Sequence, residues 1–165
     1  MATVDLTDLI PDLEGYVSVP GSVSRYSTAS ETEWLTKLRN AFWTAYNDGL
    51  IIGFSCNEEG VISSVSGSLA MGRDLQQIVI LYSAISIVQN ELLQIKTAFR
   101  AKAGPVEYET QQSAQVLKGL LDSLFQQKNV LLKRLSDIGE VQSHYFDAVI
   151  TRDASYRSGL TSWVR

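Results

Sequence analysis

The residue types that most often carry out chemistry in proteins are sparse in this chain. Its 165 residues include one cysteine, Cys56, and one histidine, His144, which lie far apart. A single residue of each type matches no known zinc-ligand spacing. A cysteine–histidine nucleophile pair is possible in principle. However, Cys56 lies in an apolar stretch, with no nearby basic residue or helix start to lower the pKa of its thiol. We therefore interpret it as a small buried side chain.

The carboxylates also lack a pattern typical of catalysis or metal binding. The N-terminal acidic residues do not have the DxDxDG spacing of a calcium loop, so we interpret them as a solvated acidic segment. Glu58 and Glu59 fit the tip of a hairpin, where charge also discourages unwanted edge pairing. No phosphate-binding, dinucleotide-binding or GxSxG motif is present. The sequence thus predicts no catalytic residue, no cofactor and no metal. The N-terminal acids are Asp5, Asp8, Asp12 and Glu14.

Aromatic residues form the remaining candidate group. Trp34, Phe42 and Trp43 could line a ligand pocket, but aromatic residues at helical spacing more often belong to a core. Arg152 and Arg157 stand among aromatic residues near the C-terminus. Arginine beside aromatic side chains is a composition typical of protein interfaces. The residue chemistry therefore favours a component of an assembly over an enzyme.

Composition sets further limits on function. Hydrophobic residues make up 45% of the chain and charged residues 19%, enough apolar material for one domain with a core. The net charge of −4 argues against a surface that binds nucleic acid through many lysine–phosphate contacts. The N-terminus has no secretory signal pattern, and the longest uninterrupted apolar stretch is about half of a membrane span. We expect no membrane partner.

The stretch Arg73–Ala103 predicts a long helix at the centre of the fold. It contains no proline or glycine, and apolar residues recur at helical spacing. Its middle, Ile78–Val88, is apolar on almost all sides, so we expect other elements to cover it on several sides.

A second long helix is predicted after Gly104-Pro105, with Thr110 as its N-cap and Gly139 at its end. Its apolar residues keep a three–four spacing that is typical of packing at a shallow angle on a partner helix, and Lys128 is the one interruption. The short connection makes the preceding helix the antiparallel partner. Gly119 suggests a close approach between the two helices.

Shorter elements precede this pair. Ser30 and Glu33 fit a capping box that starts a helix with Trp34, Leu35, Leu38, Phe42 and Tyr46 on one face. Gly49 suits the left-handed position after its last turn. Two β-prone runs around a polar turn predict a hairpin over about residues 50–65.

Three regions follow from these elements. Residues 1–29 form an N-terminal arm too poor in apolar residues to fold alone, so it lies on the rest. Residues 30–139 form a helical bundle with the hairpin. Residues 140–165 are rich in apolar and aromatic residues but lack a sustained helical period, so we predict that they form an arm that binds a partner. The predicted fold is mainly α: a small bundle on a long antiparallel helix pair, with a short β-hairpin and extended N- and C-terminal arms.

Three stretches resemble one family over nearly the whole chain. They are VDLTDLIPDLE, TAFRAKAGPVEYETQQSAQVLKGLL and DAVITRDASYRSG. Together they resemble head-to-tail connector proteins of long-tailed bacteriophages, particularly those that infect actinobacteria. AKAGPVEYETQQSA is the most specific block. None of the three is a catalytic motif.

The resemblance implies a portal-docking adaptor in the neck of the virion, made in the host cytoplasm. Such adaptors are small helical bundles that form a homo-oligomeric ring beneath the portal protein, and a C-terminal arm docks on the portal. A stopper or tail-terminator protein would bind below, and DNA would only pass through. We expect Glu58 and Glu59 to face that channel. The residues expected to dock on the portal are Tyr145, Phe146, Val149, Ile150, Arg152, Tyr156, Arg157, Leu160 and Trp163.

Two alternatives remain open from the sequence. One is another neck component, either a head-closure stopper or a tail terminator, which would contain more β-structure. The other is a small enzyme or ligand-binding bundle, with Cys56, His144 or the Trp34 and Trp43 cluster at its site.

Overall fold

The computed structural model describes residues 3–18, 30–66, 70–99 and 107–138. It contains three strands, β1 (Val4–Asp5), β2 (Phe54–Cys56) and β3 (Val61–Ser64), and four α-helices. A 3₁₀ turn, Leu6–Leu9, follows β1 directly. The helices are α1 (Ile10–Val17), α2 (Glu31–Asn47), α3 (Arg73–Phe99) and α4 (Glu107–Ile138). The protein is therefore mainly helical with a small antiparallel sheet, as predicted.

Helix α3 lies at the centre of the fold. Helices α1, α2 and α4 all pack against it. Between Ile78 and Val88, every residue is buried except Tyr82, which is half-buried, and Ser86, which is exposed. The expectation that this apolar segment is covered on several sides is confirmed.

Helices α3 and α4 run antiparallel. Asp74 at the start of α3 pairs with Arg134 near the end of α4, with 3.8 Å between Oδ1 and Nη1. Further along α3, the Tyr82 ring meets Lys128, which lies earlier in α4. The predicted partner and direction of the long pair are therefore confirmed.

Two details of α4 differ from the prediction. The helix already includes Thr110, so this residue is not its N-cap, and α4 begins at Glu107. Gly119 does not mark a close approach, because an added Cβ atom there would meet nothing within 4 Å.

Helix α2 begins and ends as its sequence predicts. The Ser30 hydroxyl accepts a hydrogen bond from the Glu33 amide, and the Glu33 carboxylate accepts one from the Ser30 amide. Gly49 has a φ of 74°, which L side chains rarely adopt. The buried face of α2 differs from the prediction at its C-terminal end, where Tyr46 is exposed. The buried residues of α2 are Trp34, Leu38, Ala41, Phe42 and Ala45.

The predicted hairpin is present as β2 and β3, and β1 adds a third strand to form a small sheet. Cys56 pairs with Ile62 between β2 and β3, and Val4 pairs with Ile62 from the other side, which gives the order β1-β3-β2. Strand β2 is shorter than the predicted run from Leu50, because Gly53 has a φ of 80° and interrupts the extended chain. Leu50 and Ile51 are buried ahead of it.

The N-terminal segment lies on the rest of the molecule, as expected, but residues 4–17 are folded rather than extended. The side chains of Leu6, Leu9, Leu13 and Val17 are buried in the main core. Pro11 is tolerated because it stands in the first turn of α1, where no helical partner exists for its missing N–H. This segment therefore belongs to the bundle.

Within the described ranges, one helix is long and apolar enough to cross a membrane by length and composition. The stretch Arg73–Ile95 has a mean hydropathy of 1.5, and half of it is buried inside the protein. The sequence argument counted only uninterrupted apolar residues and so missed it. The core helix of a globular protein passes the same test, and α3 occupies that position here.

Candidate functional site

The docking residues predicted from the sequence lie outside the described part of the chain. Tyr145 to Trp163 all follow Ile138, the last residue described. His144 lies there as well. The structure therefore leaves the predicted portal-docking arm as a prediction.

The turn that carries Glu58 and Glu59 is bonded to α2, and its two acidic side chains are exposed. The Arg39 side chain of α2 donates a hydrogen bond to the Glu58 carbonyl at 2.9 Å. Gly60 has a φ of 87°, and its Cα faces the Leu35 side chain. Both glutamates are exposed. The two acidic side chains thus lie at the surface of a turn that is anchored to α2 by the Arg39 hydrogen bond.

Cys56 is buried at the end of β2. Burial raises the pKa of its thiol, and the nearby Arg39 lowers it to a lesser extent. Because the thiolate is the reactive form, a raised pKa makes Cys56 a poor nucleophile. Its surroundings agree with the interpretation of a small core side chain.

The aromatic cluster of α2 is divided between core and surface. Trp34 and Phe42 are buried, whereas Trp43 is 39% exposed and Tyr46 is 43% exposed. The Trp43 and Tyr46 rings meet edge to face at 5.4 Å between centroids, and both rest on the Phe42 ring. We call Trp43 and Tyr46 the aromatic patch. It combines apolar ring faces with an indole N–H and a phenol hydroxyl on an exposed surface.

An open groove of about 430 Å³ lies between α3 and α4, and sequence reasoning missed it. Leu81 and Leu131 are its buried residues, and Val130 lies in it with 65% of its surface exposed. The sequence feature that could have indicated the groove is Val130, an apolar residue that falls outside the three–four spacing of the other apolar residues of α4. The other lining residues are Asp74, Gln77, Ser123, Gln126, Gln127 and Arg134.

A buried cation joins the same two helices. The Lys128 side chain is buried, with Nζ 4.9 Å from the centre of the Tyr82 ring and 5.6 Å from that of Phe125. The Tyr82 hydroxyl donates a hydrogen bond to Asp48 Oδ2 at 2.9 Å, which links α3 to the end of α2. Lys128 interrupts the apolar spacing of α4 in the sequence, but in the structure it packs there through cation–π contacts.

No group of three or more histidine, cysteine or acidic residues that could hold a metal ion occurs in the described ranges. The described residues offer an acidic turn, an exposed aromatic patch and an open groove whose lining is part polar and part apolar. No protein-family model, curated protein or solved structure matches this chain.

Proposed function

We propose that this protein is a structural adaptor in the neck of a long-tailed bacteriophage. It forms a ring under the portal protein, extends the channel for DNA and connects the head to the tail or to a stopper. The observation that carries the proposal is the resemblance of three sequence blocks, above all AKAGPVEYETQQSA, to head-to-tail connector proteins.

The architecture supports the proposal. The core cluster among the described residues extends from Leu6 to Leu135 and includes side chains of all four helices. We propose that this cluster supports the bundle by itself, so that residues 140–165 serve to bind a partner. An apolar segment of this kind can add a strand to a partner or fill a groove on it. The ordering cost of about 2–5 kcal/mol is offset by the many simultaneous contacts in a ring.

The charge distribution supports passage of DNA without retention. Glu58 and Glu59 are exposed on the turn between β2 and β3. A carboxylate surface forms no salt bridges with phosphates, so it does not hold DNA that moves past it. We assign these two side chains to the channel side of the ring.

The alternative neck components receive less support. A stopper or tail terminator would contain more β-structure, whereas the sheet here has three strands of two to four residues. An enzyme centred on Cys56 receives no support either, since the pKa of that thiol is raised.

Deletion of residues 140–165 tests the docking role of the C-terminal arm. The shortened chain should keep a cooperative unfolding transition but fail to co-sediment with portal protein. A matched full-length variant with Tyr156→Ala and Trp163→Ala should also lose portal binding, while Arg165→Ala should bind normally. Completion of infectious particles by the shortened chain would refute the docking role.

A further inference from the structure

The described chain ends beside the groove between α3 and α4. Helix α4 ends at Ile138, one turn after Arg134, which lines the groove and pairs with Asp74 of α3. Residues 139–165 follow in the sequence. The segment that we propose to bind a partner therefore begins at one end of an open groove on its own subunit.

The groove lies within reach of the first residues of this segment. Val130 lies about 12 Å back along α4 from Ile138, at roughly 1.5 Å per residue. Residues 139–145 span up to about 23 Å when extended, at roughly 3.3 Å per residue. Gly139 at their start can adopt the backbone angles of a sharp reversal. Phe146 can therefore return to the level of Val130 in the same subunit.

The sequence of residues 146–150 suits the apolar part of the groove. In an extended segment alternate residues share a face, so Phe146, Ala148 and Ile150 would form an apolar row. The groove offers three apolar side chains to such a row, of which only Val130 is exposed. Its volume of about 430 Å³ falls in the range of roughly 300–1,000 Å³ that is usual for binding clefts.

The polar part of the groove suits the backbone of an extended segment. Ser123, Gln126 and Gln127 line the groove and are exposed. Hydroxyl and amide side chains both donate and accept hydrogen bonds. The N–H and C=O groups of a segment that lies in a groove need such partners. The groove can therefore take a whole length of chain, with its backbone bonded and alternate side chains buried.

We infer that residues 146–150 of the unassembled subunit occupy the groove between α3 and α4 of their own chain. The short link from Ile138 gives this contact an effective concentration of about millimolar, so it needs no partner to form. Phe146 and Ile150 are also among the residues that we propose to dock on the portal, and they cannot do both at once. Docking therefore displaces the segment, whose apolar side chains stay covered until then. Only this last step rests on the proposed function.

Engineered cysteines in the intact chain test the contact directly. Val130→Cys and Ala148→Cys are combined in one chain, which keeps Phe146 and Ile150 in place. Mild oxidation of the dilute protein should give an intramolecular disulfide, seen as a monomer of higher mobility on a non-reducing gel. The unmodified chain, whose Cys56 is buried, gives the background. Products that are only intermolecular dimers would overturn the inference.

The matched control places the cysteine one residue away on α4. Asn129 is exposed and equally close to Ile138 along the chain, but it does not line the groove. The pair with Val130→Cys should close at least about tenfold faster than the pair with Asn129→Cys, because a bound segment raises the effective concentration of its thiol. Equal rates would mean that the segment does not select the groove.

Limited proteolysis of the intact chain gives a second measurement. Val130→Asp places a carboxylate against the apolar row, which disfavours binding of the segment. Chymotrypsin should then cleave after Phe146 at least about fivefold faster than in the parent chain, because cleavage follows the population of the open form. Asn129→Asp should leave the rate unchanged. An unchanged rate in Val130→Asp would overturn the inference. Both measurements use the purified chain alone, so they can succeed where portal binding fails, and the reverse.

Discussion

Helix α3 is packed on two flanks in two different ways. Against α3, helix α2 packs with an apolar face whose buried residues include Ala41 and Ala45 and no charged side chain. Against α4 the stripe is interrupted by Lys128, whose charge lies over two aromatic rings. Burying a cation offsets part of the gain from burying apolar surface. We therefore expect the α2 flank to contribute more to stability, and the α4 flank to tolerate more change.

The largest effect is expected at Phe42, on the α2 flank. Phe42→Ala should lower the free energy of unfolding by about 3–5 kcal/mol, because it removes a fully buried ring. The neighbouring Trp43→Ala should cost only about 0.5–1.5 kcal/mol, since it removes mainly ring–ring contacts. Urea unfolding followed by circular dichroism measures both. Equal losses would show that Trp43 is as much a core residue as Phe42.

Leu13 tests whether the N-terminal segment belongs to the bundle. Its side chain is fully buried in α1, so Leu13→Ala should cost about 2–4 kcal/mol. The adjacent exposed variant Glu14→Ala should stay within about 0.5 kcal/mol of the parent. If Leu13→Ala were as neutral as Glu14→Ala in thermal unfolding, residues 4–17 would not be part of the core. They would then be an N-terminal arm that only lies on the bundle, as the sequence predicts.

Two glycines should respond with opposite signs. Gly60→Ala should destabilise the protein by about 1–3 kcal/mol, because φ is 87° and the new Cβ atom would lie 2.5 Å from Leu35 Cδ1. Gly119→Ala in α4 should stabilise it by about 1 kcal/mol, since the site is open and alanine favours a helix. Chemical denaturation at one temperature compares the pair. A loss of stability in Gly119→Ala would mean that α4 is contacted closely there after all.

Tyr82 links the two flanks and should show a moderate effect. Tyr82→Phe removes the donor to the Asp48 carboxylate and should cost about 1–2 kcal/mol. Asp48→Asn keeps an acceptor oxygen and should cost less. A double-mutant cycle separates the bond from other contacts of either residue. Strictly additive losses would show that this hydrogen bond does not stabilise the fold.

The smallest effect is expected at Lys128, on the α4 flank. Lys128→Met keeps a long flexible side chain and loses only the cation–π contact, so stability should change by less than about 1 kcal/mol in either direction. Lys128→Asp should be clearly worse, because it buries an unpaired carboxylate in the same place. A large loss in Lys128→Met, measured by urea unfolding, would make the cation a principal support of the helix pair.

The aromatic patch and the groove were only partly predictable from the sequence. The aromatic residues of α2 were identified, but as one cluster, because helical spacing alone does not distinguish the buried Trp34 from the half-exposed Trp43. Tyr46 was assigned to the buried face, and the structure places it outside. The groove depends on how α4 is rotated against α3, which a single valine off the stripe does not specify.

The sequence alone determined the features that depend on neighbouring residues. The capping box at Ser30, the left-handed Gly49 and the long uninterrupted α3 follow from local hydrogen bonding, backbone sterics and helical period. Only the tertiary structure decided the features that depend on distant partners. The two-residue strand β1 is too short for any period and exists because it pairs with β3. Likewise, Lys128 is buried because α3 presents the Tyr82 ring at that level.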